Sequence, residues 1–255
     1  MNRLLTAVLI YVVAVTSGIQ VAQAQEDGAS VPVEAFYCNI REGKGRKDVE
    51  NAVDKFNAWM DANAADDGYM AWIMAPQFGM HMELPDIIWL GSWESGAAMG
   101  SGMDKYLAEA GDVQEAFNDA IECGGHALAS SVEINAPDGP PENGVVMFNQ
   151  CSYADGKNWE DAMKAHKANS VALREMGGKG SSWMFFPMLG GNSDGFDYWA
   201  VAGFQNWSDF GTSYDMYVNG GGWQKSMKIM QGNVECGEDP TVWDAWLVRK
   251  GNRDS

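Results

Sequence analysis

What most constrains this chain is that it carries one pattern twice, the second copy displaced from the first by about 110 residues. Cys38 and Cys123 return as Cys151 and Cys236, with a separation of 85 residues in each copy. Between them Gly100-Ser-Gly-Met-Asp-Lys-Tyr106 is echoed by Gly211-Thr-Ser-Tyr-Asp-Met-Tyr217, and Glu122-Cys-Gly124 by Glu235-Cys-Gly237. Whatever fold one copy adopts, the other is expected to adopt as well. The segment Asn135-Ala-Pro-Asp-Gly-Pro-Pro-Glu-Asn143 has the composition of a linker between them. The expected organisation is a signal peptide over residues 1–24, a first module over 32–136, a linker over 137–143 and a second module over 144–250.

The leader is assigned from Arg3, an apolar run over residues 4–15 and the small-x-small cleavage site Ala22-Gln-Ala24. That run is too short to span a bilayer comfortably, and no later stretch reaches ~18 uninterrupted apolar residues. The protein is therefore expected to be periplasmic or secreted, with no membrane attachment after cleavage. Its formal net charge is −18 and its lysines and arginines do not cluster. A surplus of that sign repels phosphate backbones and anionic headgroups, which excludes nucleic acid as a partner. The acidity is read as a solubilising surface.

Residues 33–40 read as a β-branched and aromatic strand, after which Val49, Val53, Phe56 and Met60 recur at helical spacing. Residues 69–75 and 86–93 are two further strands, joined by a turn-rich hairpin that opens Pro76-Gln-Phe-Gly79 and is matched by Pro187-Met-Leu-Gly190. A helical pattern resumes over residues 97–121, broken near Gly111, and residues 126–134 close the module as a strand. The order βαββαβ predicts an α+β fold in which each module is a ferredoxin-like antiparallel sheet with both helices on one face. Strand segments 87–93, 145–148 and 196–204 are apolar at both parities, as strands buried on both faces are. The expected cover for the second face is the sister sheet, related by a pseudo-twofold axis.

In element order, duplication and two-faced strands the chain resembles the dimeric α/β-barrel superfamily over nearly all of its length beyond the leader. The resemblance implies two ferredoxin-like βαββαβ modules packed sheet to sheet as a pseudo-twofold dimeric α/β barrel. That superfamily includes cofactor-independent monooxygenases, small-molecule isomerases, haem proteins such as chlorite dismutases, and modules without known catalysis. No catalytic motif comes with the resemblance, so fold alone does not assign a reaction.

Four cysteines permit three pairings. In the strand order 4-1-3-2 of a ferredoxin-like sheet, the end of the first strand lies beside the start of the last. This order places Cys38 with Cys123 and Cys151 with Cys236 as disulfides. Their equivalence in the two copies argues against redox-active thiols. By the same logic Asp104, Tyr106, Asp215 and Tyr217 are read as scaffold, serving as caps or buried hydrogen bonds.

Function is sought where the copies differ. Aligning Val49-Glu-Asn-Ala-Val53 with Trp159-Glu-Asp-Ala-Met163 sets His166 opposite Phe56, on the apolar stripe of its helix. His166 is the candidate catalytic residue, a general base or a polar contact for a bound molecule. The competing reading is a core histidine satisfied by a neighbouring carbonyl. Phe185 and Phe186 replace Met74 and Ala75, while Trp199, Trp207 and Trp223 have no Trp counterpart. Phe185, Phe186, Trp199 and Trp207 are accordingly expected to line an apolar site in the second module. A tighter core without a cavity would produce the same enrichment.

His126 reads as the start of a strand. Met80-His81-Met82 resembles the soft ligand set of cuprous copper, but most of the sixteen methionines stand singly among apolar neighbours, where filling a core is the commoner role. Zinc lacks a recognisable ligand spacing. Haem would want basic groups for its propionates, and only Arg174 and a few lysines lie near His166. No metal and no cofactor are expected. The expected function is binding of a small apolar or aromatic molecule in the second module. The alternatives are a cofactor-independent monooxygenase or isomerase with His166 as base, and a non-catalytic structural or protein-interaction module.

Overall fold

The computed structural model describes residues 30–63, 68–79, 84–191 and 195–251. The leader over residues 1–24 and the triplet Met80, His81 and Met82 lie outside the described residues.

The first half runs β1 (Ser30–Ile40), α1 (Arg46–Asn63), β2 (Met70–Phe78), β3 (Ile87–Ser92), α2 (Gly96–Glu109), α3 (Gly111–Ala120) and β4 (Ile121–Asn135). The second repeats the order as β5 (Gly144–Tyr153), α4 (Trp159–Glu175), β6 (Ser181–Leu189), β7 (Tyr198–Phe204), α5 (Trp207–Val218), α6 (Gly222–Met230), β8 (Val234–Cys236) and β9 (Thr241–Arg249). Local chemistry sets the helix starts. Asn158 accepts hydrogen bonds from the backbone N–H groups of Glu160 and Asp161, and the Asp161 carboxylate accepts from the Asn158 N–H, a reciprocal cap for α4. Ser95 caps α2 and Asn206 caps α5 without the reciprocal bond, each through one side-chain oxygen that accepts from a backbone N–H.

In each half the first strand lies between the last and the third, with the second outside the third. The two sheets do not merely face one another, as expected from the sequence; their edges also join. β2 pairs with β9 and β4 pairs with β6, so the last strand of each half bonds to the second strand of the other. The result is a closed eight-stranded antiparallel barrel in the order β1-β3-β2-β9-β5-β7-β6-β4, with the short β8 added beside β5. Closure leaves no unpaired barrel edge, which is the physical advantage over two stacked open sheets. The length of β4 makes one seam: its residues 121–132 pair with β1 while 128–135 pair with β6. Its counterpart is broken into β8 and β9 by Gly237-Glu-Asp-Pro240, where Pro240 has no N–H for the ladder.

The strands are apolar on both faces because one face fills the barrel and the other lies under helices. Val33, Phe185 and Val201 meet inside the barrel, as do Met74, Ile88 and Trp243, and these clusters draw on strands of both halves. Cys38, Ile73 and Ile87 point the other way, onto Val49, Phe56 and Met60 of α1. Cys38 is bonded to Cys123 with Cα atoms 3.9 Å apart, and Cys151 to Cys236 with Cα atoms 4.0 Å apart. Each bridge ties the first strand of its half to the returning chain. No helix among the described residues is long and apolar enough to cross a membrane.

Candidate functional site

A cavity of about 350 Å³ lies between the sheet of the first half and the helices α1, α2 and α3. Its wall is rich in aromatic side chains, and its one carboxylate is Glu34. Strand alternation puts Glu34 on the same face of β1 as Phe36 and Cys38, the face that the helices cover. The side chain is only 7% exposed. Burying a carboxylate is costly unless hydrogen bonds replace water, and here two do. Tyr69 donates its O–H to Glu34 Oε1 at 2.8 Å, and His126 Nε2 lies 3.0 Å from Glu34 Oε2. Trp89 in turn donates its indole N–H to the Tyr69 oxygen at 2.8 Å. A phenol and an imidazole thus converge on one buried carboxylate, with an indole bonded behind the phenol.

Two glycines make room for this arrangement. Gly91 of β3 stands opposite Glu34 in the ladder, and a Cβ there would overlap the Tyr69 hydroxyl. Gly102 of α2 is buried against the Trp93 ring, which a Cβ would likewise strike. The Trp93 indole nitrogen is buried and has no partner among the described residues. His126 is the member of the network that meets solvent: its side chain is 42% exposed, and its ring stacks on Phe36 with centroids 3.6 Å apart.

Burial first, and the Glu34 charge second, push the Tyr69 hydroxyl well above the ordinary phenol range and that of Tyr106 up to about 12. Both phenols stay protonated, so Tyr69 is a donor to Glu34. A carboxylate only accepts, so in this pair His126 donates through Nε2 and turns Nδ1 away from Glu34, the orientation of a base held by a carboxylate.

The residues singled out from sequence fall in three places. His166 of α4 occupies the equivalent helix-to-sheet space of the second half, where its Nε2 lies 2.8 Å from the hydroxyl of the fully buried Tyr198. Burial lowers its pKa to about 4, so it is a neutral imidazole paired with a phenol. Phe186 packs on the same Tyr198 ring at 5.7 Å, as does Tyr153 at 5.6 Å. Phe185 and Trp199 face into the barrel around Phe148. Trp207 is on the surface, 39% exposed, against Phe78 and Phe210, with its indole N–H donating to Asp244 at 3.3 Å. His166, Phe185, Phe186, Trp199 and Trp207 therefore do not form one wall, as expected from sequence. The strand parity that splits Phe185 from Phe186 is the reason.

Sequence patterning passes over Glu34 and Tyr69, makes His126 a strand start and makes Tyr106 part of the scaffold. The available signal was Glu34 itself: an acid on the covered face of an apolar strand, at a position where the second copy has Met147, each four residues before its cysteine. A second cavity, of about 500 Å³, lies along the β2–β9 seam beside α1, where the Arg46 guanidinium sits over the Trp246 ring at 4.3 Å. Among the described residues no group of three or more His, Cys, Asp or Glu side chains is placed to hold a metal ion.

No protein-family model and no curated sequence matches the chain. Solved structures do. A candidate monooxygenase from Fusobacterium nucleatum aligns over 89% of this chain and 98% of its own, with a TM-score of 0.53 at 11% identity. A candidate monooxygenase from Lactobacillus acidophilus aligns over 88% and 95%, with a TM-score of 0.52 at 12% identity, and an anthrone oxidase-like protein over 90% and 95%, at 0.52 and 10%. A candidate chlorite dismutase aligns over 85% and 95%, at 0.50 and 8%. These are dimeric α/β-barrel proteins, and at such identities the likeness is one of fold.

Proposed function

We propose that the chain binds a small, largely apolar or aromatic molecule in the first-half cavity, with Glu34, Tyr69 and His126 as its polar contact. The observation that carries this is a buried, doubly hydrogen-bonded carboxylate in the wall of a largely apolar, aromatic-rich cavity. A small-molecule site commonly has this form, an apolar enclosure with a few convergent polar groups. The ligand class is the one expected from sequence, but its place moves from the second half to the first. The architecture behind it is a tandem pair of ferredoxin-like modules, residues 32–136 and 144–250, of which the second serves as scaffold. Two disulfides suit an oxidising compartment, in keeping with a periplasmic or secreted protein.

A second reading rests on His126. With Nε2 held by Glu34, its Nδ1 can take a proton from an acidic O–H or C–H of the bound molecule, the role of base in a cofactor-independent monooxygenase or isomerase. His166 suits that role less, because it is neutral, buried and engaged with Tyr198. Haem, which other dimeric α/β-barrel proteins hold, does not fit this cavity: no lysine or arginine lines it to receive propionates, and its one histidine is tied to a carboxylate.

Native mass spectrometry of the protein as purified tests the site. Retained small molecules should be lost from Glu34→Gln and His126→Ala and kept by His166→Gln. The opposite pattern would return the site to the second half.

A further inference from the structure

We infer that the first-half cavity selects an organic cation, an ammonium group carried on an apolar or aromatic body; this rests on the cavity being the ligand site. The wall contains one carboxylate and neither lysine nor arginine. Eight aromatic side chains line the wall around that charge, three of them the tryptophans Trp59, Trp89 and Trp93. Aromatic rings present negative potential at their faces and attract ammonium groups within about 6 Å of the ring centre. Two thioethers, Met60 and Met103, complete a polarisable enclosure.

Glu34 retains the capacity to receive such a ligand. A carboxylate offers about four lone-pair positions, and Tyr69 and His126 occupy one on each oxygen. The remaining positions suit an N–H donor, or the unspecific attraction of a quaternary ammonium. Anionic ligands meet the reverse condition. The field that holds the Tyr106 hydroxyl protonated, after burial itself, also disfavours a ligand carboxylate or phenolate in the same enclosure. The only other wall group able to carry charge is His126, whose ring is already bonded to Glu34 and stacked on Phe36. At long range the net charge of −18 acts in the same direction, raising the local concentration of cations and repelling anions.

The test compares two probes of nearly equal shape that differ in charge, phenyltrimethylammonium and tert-butylbenzene, by equilibrium dialysis against the full chain. The expected result is that the cation binds at least about tenfold more tightly, the range set by desolvated cation–π contact together with a buried carboxylate. Glu34→Gln, checked for native circular dichroism and melting, should bring the two affinities together. If tert-butylbenzene binds as well as the cation to the unaltered protein, the charge preference is overturned while the cavity remains a ligand site. If neither probe binds, both the preference and the site fall. The probe comparison in the unaltered protein does not depend on the variant folding.

Discussion

The two halves place the same elements around the same space and fill it in opposite ways. In the first half Cys38 faces Ile87 across the ladder, α1 contributes Phe56, and the strand carries Glu34. In the second half Cys151 faces Tyr198, α4 contributes His166, and the strand carries Met147. A tyrosine in place of isoleucine, with Tyr153 and Phe186 packed on it, gives the second half an aromatic cluster there whose polar contact is a neutral hydrogen bond to His166. The first half instead keeps a void beside a charge. A buried neutral pair is cheap to maintain, whereas a buried carboxylate is not. The half that tolerates both a cavity and a charge has departed furthest from what packing alone favours, and that departure is the ground for proposing the ligand site there.

The disulfides should show the halves as equals in stability and unequals in binding. Each closes a loop of the same length, so Cys38→Ala with Cys123→Ala, and Cys151→Ala with Cys236→Ala, should each lower unfolding free energy by about 4 to 5 kcal/mol in the chain-entropy model. Urea unfolding measures this. Only the first pair lines the cavity, so at low denaturant only its loss should weaken ligand retention. Equal loss of binding from the second pair would break the division of labour between the halves.

Acid should expose the second half. An unfolded histidine takes a proton near pH 6.5, while His166 in the fold refuses one until about pH 4. Its contribution is complete above pH 6.5 and is lost as pH falls toward 4, amounting to about 3 kcal/mol over that window. His166→Gln keeps a hydrogen bond to Tyr198 without titrating, so the stability difference between the two proteins should change by about this amount between pH 7 and pH 4. Parallel pH profiles would show that His166 is already charged in the fold or is open to water.

The duplication made the element order of both halves legible, and with it the pairing of the cysteines. Barrel closure was less so, because the seams are made by pairing between β4 and β6 and between β2 and β9, contacts that no local period encodes. The site was hidden for a related reason. Glu34, Tyr69 and His126 lie far apart in the chain and meet only across three strands, and each alone has an ordinary explanation. His126 looks like a strand start, which it also is. Equivalence between the copies identifies the paired cysteines, whereas the matched Tyr106 and Tyr217 part ways: Tyr217 is exposed and Tyr106 lines the cavity.

Smaller changes sharpen the same contrast. Glu34→Met gives the first half the residue of the second, leaving the Tyr69 hydroxyl without its acceptor; unsatisfied buried donors cost about 1 to 3 kcal/mol, offset in part by removal of the buried charge. Thermal unfolding should record a modest loss, and the bound small molecule should be absent from the native mass spectrum. Trp207 is the limiting case. It belongs to the aromatic enrichment of the second half, yet it lies on α5 at the surface, with a long hydrogen bond to Asp244 and edge contacts to two phenylalanines. Trp207→Ser should change stability by less than about 1 kcal/mol and leave binding untouched, as expected of a partly exposed side chain with few buried contacts. Trp59→Ser, made in the cavity wall, should weaken binding of the same ligand. If the two substitutions affected binding alike, aromatic content rather than position in the first-half cavity would be what the ligand reads.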